Sequence, residues 1–190
     1  MNDAICSERQ IKETCLAQKS RDPVAIVTAL MRLPGIPMHG PVHHILDGSA
    51  LLTAIHNAGE EFDLPAALDE MAARGSRMPG ATCGMWGVCG SASSVGAALA
   101  ILHATGPLSS DENYKNNMRL TSRALSAIAE IGGPRCCKRN AFISLQTAAE
   151  FLRNAYGIPL ETAPFRCEFY PNNAQCLGKR CPFRPADIEK

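Results

Sequence analysis

The sequence predicts a mainly α-helical single domain: a bundle of about six helices with a cysteine-rich, irregular C-terminal tail. Three observations carry this. The apolar residues, 46% of the 190, come mostly from Ala, Leu and Ile, which favour helix over sheet. They recur at helical spacing, and no stretch alternates as a strand does. From Ile158 onward the periodicity stops and Pro, Asn and Cys take over. A chain of this length suits one domain that buries its own core.

Residues 1–21 read as an N-terminal extension, 22–157 as the helical core, and 158–190 as the tail packed on it. Asp22-Pro23 is a helix start, a capping acid followed by Pro at the first helical position. Val24, Val27, Leu30 and Met31 form its apolar stripe, and PGIP at 34–37 ends it. Gly40-Pro41 opens a second helix that Gly59 closes. A third runs from Asp63 to Gly75. The Gly-rich loop PGATCGMWGVCG, 79–90, leads into a helix whose first half is nearly all small residues. Ser109 to Ile131 reads as a long helix. Gly132-Gly133-Pro134 breaks the chain. The last helix carries Phe142, Leu145, Ala149, Leu152 and Tyr156 on one face.

Net charge is +1, so no bulk electrostatic signal points to nucleic acid or an anionic membrane. No stretch approaches the ~20 apolar residues of a membrane span. The N-terminal residues contain no apolar signal-peptide core. The expectation is a soluble, cytoplasmic protein. In a reducing compartment, nine cysteines are more readily ligands or reactive thiols than disulfides.

Four stretches concentrate the chemistry. In GGPRCCKRN, 132–140, Cys136 and Cys137 fall in the first turn of a helix if Pro134 is its first residue. Free N–H groups, the helix dipole and Arg135, Lys138 and Arg139 would all favour a thiolate there. Neighbouring residues point about 100° apart on a helix, so the two thiols need not serve one atom. In CGMWGVCG, Cys83 and Cys89 bracket glycines whose N–H groups can cradle an anion or line a cluster. In MHGPVHHILDG, His39, His43 and His44 crowd a helix start. Asp47, four residues after His43, is placed to hold that imidazole in one tautomer, and His44, three residues before it, is a rival for the same carboxylate. In the tail, Cys167, Cys176 and Cys181 lie in a segment with no core of its own, which suggests that a metal holds it. A fourth ligand would come from Cys6, Cys15 or a histidine.

Taken together, HGPVHH at 39–44, PGATCGMWGVCG, GGPRCCKR and the closing CPF at 181–183 resemble an uncharacterised, cysteine-rich bacterial and archaeal family of unknown function. The resemblance runs from about Asp22 onward. It imports no activity. It implies a home in anaerobes and suits an oxygen-sensitive cofactor.

The leading expectation is an iron–sulfur or thiolate–metal protein acting in sulfur transfer, desulfuration or thiol redox chemistry. The candidate metal ligands are Cys83, Cys89, Cys136, Cys137, Cys167, Cys176 and Cys181, with the first four meeting at one pocket. Cys136, Cys137 and His43 are the candidate catalytic residues. Arg135, Lys138, Arg139, His39 and His44 are the candidates for holding a small sulfur-containing or anionic substrate. Zinc is the alternative metal, in a non-catalytic module that serves a partner enzyme. A metal-free thiol enzyme is the weaker alternative. Self-association through small-residue faces such as 91–100 stays open.

Overall fold

A computed structural model of the chain describes residues 8–185. Eight helices follow one another: α1 (Glu8–Ala17), α2 (Pro23–Met31), α3 (His43–Asn57), α4 (Leu64–Arg77), α5 (Thr82–Met85), α6 (Gly90–Leu102), α7 (Glu112–Ile131) and α8 (Cys137–Tyr156). Two 3₁₀ turns follow, at Tyr170–Asn172 and Gly178–Arg180. There is no strand among the described residues.

The helix starts obey local chemistry. Asp22 Oδ1 accepts from Val24 N–H at 2.8 Å, Asp63 caps Ala66 and Asp111 caps Tyr114. Gly157, with φ +71°, closes α8 in the left-handed conformation that costs glycine least.

α3 is the axis of the bundle. Every residue from His43 to Ile55 is buried, so its neighbours enclose it on all sides. α1, α2, α4, α6 and α8 pack around it, and α7 closes over α6 and α8. At one point α6 reaches into α3 itself. The Ser94 hydroxyl donates to His44 C=O at 2.5 Å and accepts from Gly48 N–H at 2.8 Å, the two groups an unperturbed helix pairs directly. Gly48 permits this approach, since a Cβ there would lie 2.3 Å from Met71 Sδ and 2.9 Å from Ser94 Oγ.

The chain after α8 lies against the core. Ile158, Leu160 and Phe183 are buried. Phe142 of α8 meets Phe165 and Phe183, with ring centroids 4.4 and 5.4 Å apart. Ala163 N–H reaches Asp22 Oδ2 at 3.1 Å, so one carboxylate both caps α2 and holds the tail. Arg32 pairs with Glu168 at 2.6 Å.

Eight helices replace the six or so expected. α1, within the stretch read as an extension, packs on α3 and α4 through Ile11 and Cys15, a stripe too short to mark a helix by pattern alone. α5 is a single turn inside the Gly-rich loop. α3 begins at His43, because the Gly40 and Pro41 carbonyls first close a separate turn with His43 and His44 N–H. α8 begins at Cys137 rather than Pro134: Cys136 is extended, with φ −147° and ψ 105°, and the Gly133–Pro134 bond is cis. No described helix is long and apolar enough to cross a membrane.

Gly48→Ala should overpack the α3–α4–α6 junction and lower stability by about 1–3 kcal/mol. Urea unfolding would show this as a lower midpoint at unchanged slope.

Candidate functional site: two thiol pockets at the start of α8

Four consecutive residues at the start of α8 go to four destinations. Cys136 is the N-cap, and its Sγ accepts from Arg139 N–H at 3.4 Å. Cys137, one residue on, gives its N–H to His39 Nδ1 at 3.4 Å. The Lys138 ammonium donates to Pro37 C=O at 3.4 Å and lies 4.6 Å over the Phe169 ring. Arg139 turns back to Gly132 C=O at 2.8 Å and Pro134 C=O at 3.0 Å, clamping the Gly-Gly-Pro turn. Lys138 and Arg139 are 2% and 3% exposed, yet both line the pocket that holds Cys136, and Arg139 also borders the cleft beside the Gly-rich loop. Arg135 is exposed and makes no hydrogen bond or ion pair among the described residues.

Cys136 shares the first pocket with Cys167, Cys176 and Cys181 of the tail, together with Lys138, Arg139, Asn173 and Arg184. Donors surround these sulfurs. Asn173 Nδ2 lies 3.4 Å from Cys136 Sγ, and the Arg184 guanidinium 4.0 Å from Cys176 Sγ. Backbone N–H groups of Phe169 and Tyr170 face Cys167, and that of Phe183 faces Cys181. Burial pushes the Cys167 thiol up to about 11 and raises Cys181. These groups are protonated at neutral pH unless a cation compensates them. No three His, Cys, Asp or Glu side chains among the described residues converge closely enough for a single metal ion.

The second pocket is a cavity of about 60 Å³ between the starts of α3, α6 and α8. His43, His44, Cys83, Cys89, Cys137, Arg135 and Asn140 line it. Cys83, Cys89, Arg135 and Asn140 also border an open cleft of about 590 Å³ between the Gly-rich loop and the end of α7. Cys83, Cys89 and Cys137 therefore share a pocket, as expected, but Cys136 does not join them. Asn140 Nδ2 donates to Cys89 Sγ at 3.3 Å. Gly90 lets His44 lie against the start of α6, where a Cβ would stand 2.0 Å from His44 Nε2.

The histidines sort by their partners. His39 is used at both nitrogens, with Nε2–H donating to Asn173 Oδ1 at 3.2 Å, so it ties α8 to the tail. His44 Nδ1–H donates to Met78 C=O at 3.3 Å. His43 Nε2–H donates to Pro37 C=O at 3.0 Å, which leaves Nδ1 as a buried lone pair with no partner. The carbonyl of Pro37, not Asp47, sets that tautomer. Asp47 is fully buried, and neither carboxyl oxygen has a hydrogen bond of normal geometry, although the Ser91 hydroxyl lies beside it. Burial raises the Asp47 carboxyl to about 8 and lowers His43 to about 3. Cys137 is also raised, chiefly by burial, so desolvation outweighs the helix start and the cationic neighbours that suggested a ready thiolate.

The remaining candidates fall outside both pockets. Cys15 sits in the core beside Thr53, its thiol pushed up to about 11 by burial. Cys6 lies outside the described residues. Trp86 is 64% exposed on α5's loop, next to exposed Met85. Sequence reasoning missed Asn140 and Asn173. The signal for both is an amide within a few residues of a cysteine motif. The family model described as "Family of unknown function (DUF5714)" matches residues 11–184. No curated protein and no solved structure matches the chain.

Buried Asp47 and His43 contribute to the pH dependence of stability with opposite signs. An unfolded Asp ionises near 3.8, whereas folded Asp47 holds its proton to about 8, so stability falls as pH rises through that window. An unfolded His gains a proton below 6.5, whereas folded His43 resists to about 3, so stability falls as pH drops through that window. Between roughly 4 and 6.5 the two slopes cancel. Above that range, of these two contributions, the Asp47 loss remains, approaching about 1.4 kcal/mol per pH unit. Asp47→Asn should abolish the alkaline loss and become steadily more stable than the wild type from pH 5 to pH 8. Denaturant unfolding at pH 5, 6.5 and 8 reads this directly, and a constant gap between the two proteins would refute it.

Proposed function

The chain belongs to this family of unknown function, and we propose that it is an iron–sulfur protein whose cluster is held by Cys136, Cys167, Cys176 and Cys181. The observation that carries the reading is the gathering of four thiols from α8 and the tail around one pocket ringed by N–H donors. Such donors stabilise thiolate and cluster sulfur alike. Four thiols suit the ligand set of a cluster, with zinc the alternative. The pocket encloses only about 20 Å³ of free space, so loading requires the tail turns to move outward.

The residues fit such a group chemically. Lys138, Arg139 and Arg184 supply positive charge beside the sulfurs, and Phe142, Phe169 and Phe183 keep water away. When bound, the cluster would supply electrons or a Lewis-acidic iron. This chain's own residues hold the second pocket next to it, where Cys137, Cys89 and His43 offer thiols and a proton acceptor. That arrangement supports sulfur transfer, desulfuration or thiol redox chemistry on a small molecule. A reducing compartment such as the cytoplasm suits the eight unbridged cysteines of the described residues.

The test is iron and acid-labile sulfide content, with a visible spectrum, on protein purified without oxygen. Matching iron and sulfide with a broad band near about 400 nm is expected. Replacing Cys136, Cys167, Cys176 or Cys181 by Ser should remove most of the iron, whereas Cys83→Ser, Cys89→Ser and Cys137→Ser should retain it. The reverse pattern would move the cluster to the second pocket. Zinc without sulfide would instead support a structural module.

A further inference from the structure

The second pocket has features that no structural role uses. Its wall at α6 is the start of a 13-residue helix whose N-cap, Cys89, makes no side-chain capping bond. The N–H groups of Gly90 and Ser91 therefore present positive dipole to the cavity they line. Arg135, unpaired among the described residues, stands where the cavity meets the open cleft. Asn140 lines the same wall. This end is built to hold negative charge.

The opposite wall is different in kind. His43 is 0% exposed, lines the cavity, and has an Nδ1 lone pair with no partner. The Pro37 carbonyl forces the ring proton onto Nε2, so Nδ1 can only accept. A simple anion satisfies the first wall and leaves the second unmet. Leaving a buried acceptor without a donor is costly, so the second wall discriminates among ligands.

We infer that this pocket binds a small organic anion carrying a hydroxyl or thiol beside its carboxylate. Arg135, Asn140 and the N–H groups at the start of α6 hold the carboxylate, and the hydroxyl or thiol hydrogen goes to His43 Nδ1. The cleft beside the Gly-rich loop is the way in, and Cys83 and Cys89 line the passage. The inference deepens the proposed function by naming its substrate class. Binding itself uses none of the four thiols assigned to the cluster.

The test is calorimetric titration of the whole protein, iron-loaded and metal-free, with glycolate, mercaptoacetate and acetate. Iron and sulfide are measured on the same samples, so loss of the cluster and loss of binding are read separately. Glycolate and mercaptoacetate should bind about tenfold more tightly than acetate, the worth of one buried hydrogen bond. Glycolate preferred over mercaptoacetate would identify a hydroxy acid, and the reverse a thiol acid. Arg135→Gln, at an exposed position, should weaken all three anions about tenfold. His43→Gln keeps a donor for Pro37 and lacks the Nδ1 acceptor. It should erase the preference while leaving acetate affinity unchanged, and circular dichroism confirms that each variant is folded. Equal affinity for acetate and glycolate in the wild type, or no binding of any of the three, would overturn the inference whatever the iron content.

Discussion

The architecture of both pockets depends on the backbone change at the start of α8, where the extended Cys136 hands over to the helical Cys137. Because Cys136 caps the helix and Cys137 begins it, the two thiols cannot face one centre. One looks to the tail and the other to α3 and α6. Lys138 occupies the space between. Its electrostatic neighbours are Asp47 and Cys137 on one side and Cys136 and Cys167 on the other. Burial disfavours its charge and holds it below the usual lysine range, a shift that these groups oppose without cancelling. An ammonium so placed couples the two pockets, since a change of charge in either is felt through the same Nζ.

That arrangement needs α3 and α6 to meet α8 at fixed depth, and two contacts of small groups set the depth. The Ser94 hydroxyl enters the α3 ladder between His44 and Gly48. Gly90 lets the His44 ring rest on the first turn of α6. Together they hold the start of α3 against the start of α6, which places His43 and His44 in the cavity wall. The small-residue face of α6 is therefore packing surface within the chain. Its Ser91, Ala92, Ser94 and Val95 are all buried.

Much of this is legible in the residues. Capping acids followed by Pro mark α2 and α4, and the spacing of Phe142, Leu145, Ala149 and Leu152 marks the buried face of α8. The divergence of Cys136 and Cys137 is legible as two thiols that need not serve one atom, although its cause is the extended N-cap and not a shared helical turn. What is not legible is partnership across the chain. Nothing in the sequence pairs Cys136 with thiols 31 to 45 positions later, because no periodicity links a helix cap to an irregular segment. The expectation that cations depress the thiol pKa fails for a related reason. Charge is visible in sequence, but the depth at which Cys137, Lys138 and Arg139 sit is set by α3, α6 and the tail. Likewise the four-residue spacing of His43 and Asp47 is real, yet the Pro37 carbonyl claims the imidazole first.

The remaining oddity is energetic. A domain optimised only for stability would not bury Asp47 with both oxygens unpaired, nor leave His43 Nδ1 without a donor one helical turn away. Asparagine or leucine at position 47 would fill similar space at less cost. Two consequences follow from keeping the acid. Near neutral pH the pair presents a protonated carboxyl and an unprotonated imidazole, a proton donor and a proton acceptor in one dry region. The two groups do not satisfy each other, because the imidazole is turned to Pro37. Of the two, His43 lines the cavity between α3, α6 and α8, and Asp47 lies behind it. A cavity that withholds a hydrogen bond from its own imidazole, beside an arginine with no partner of its own, is organised around a ligand rather than around the fold.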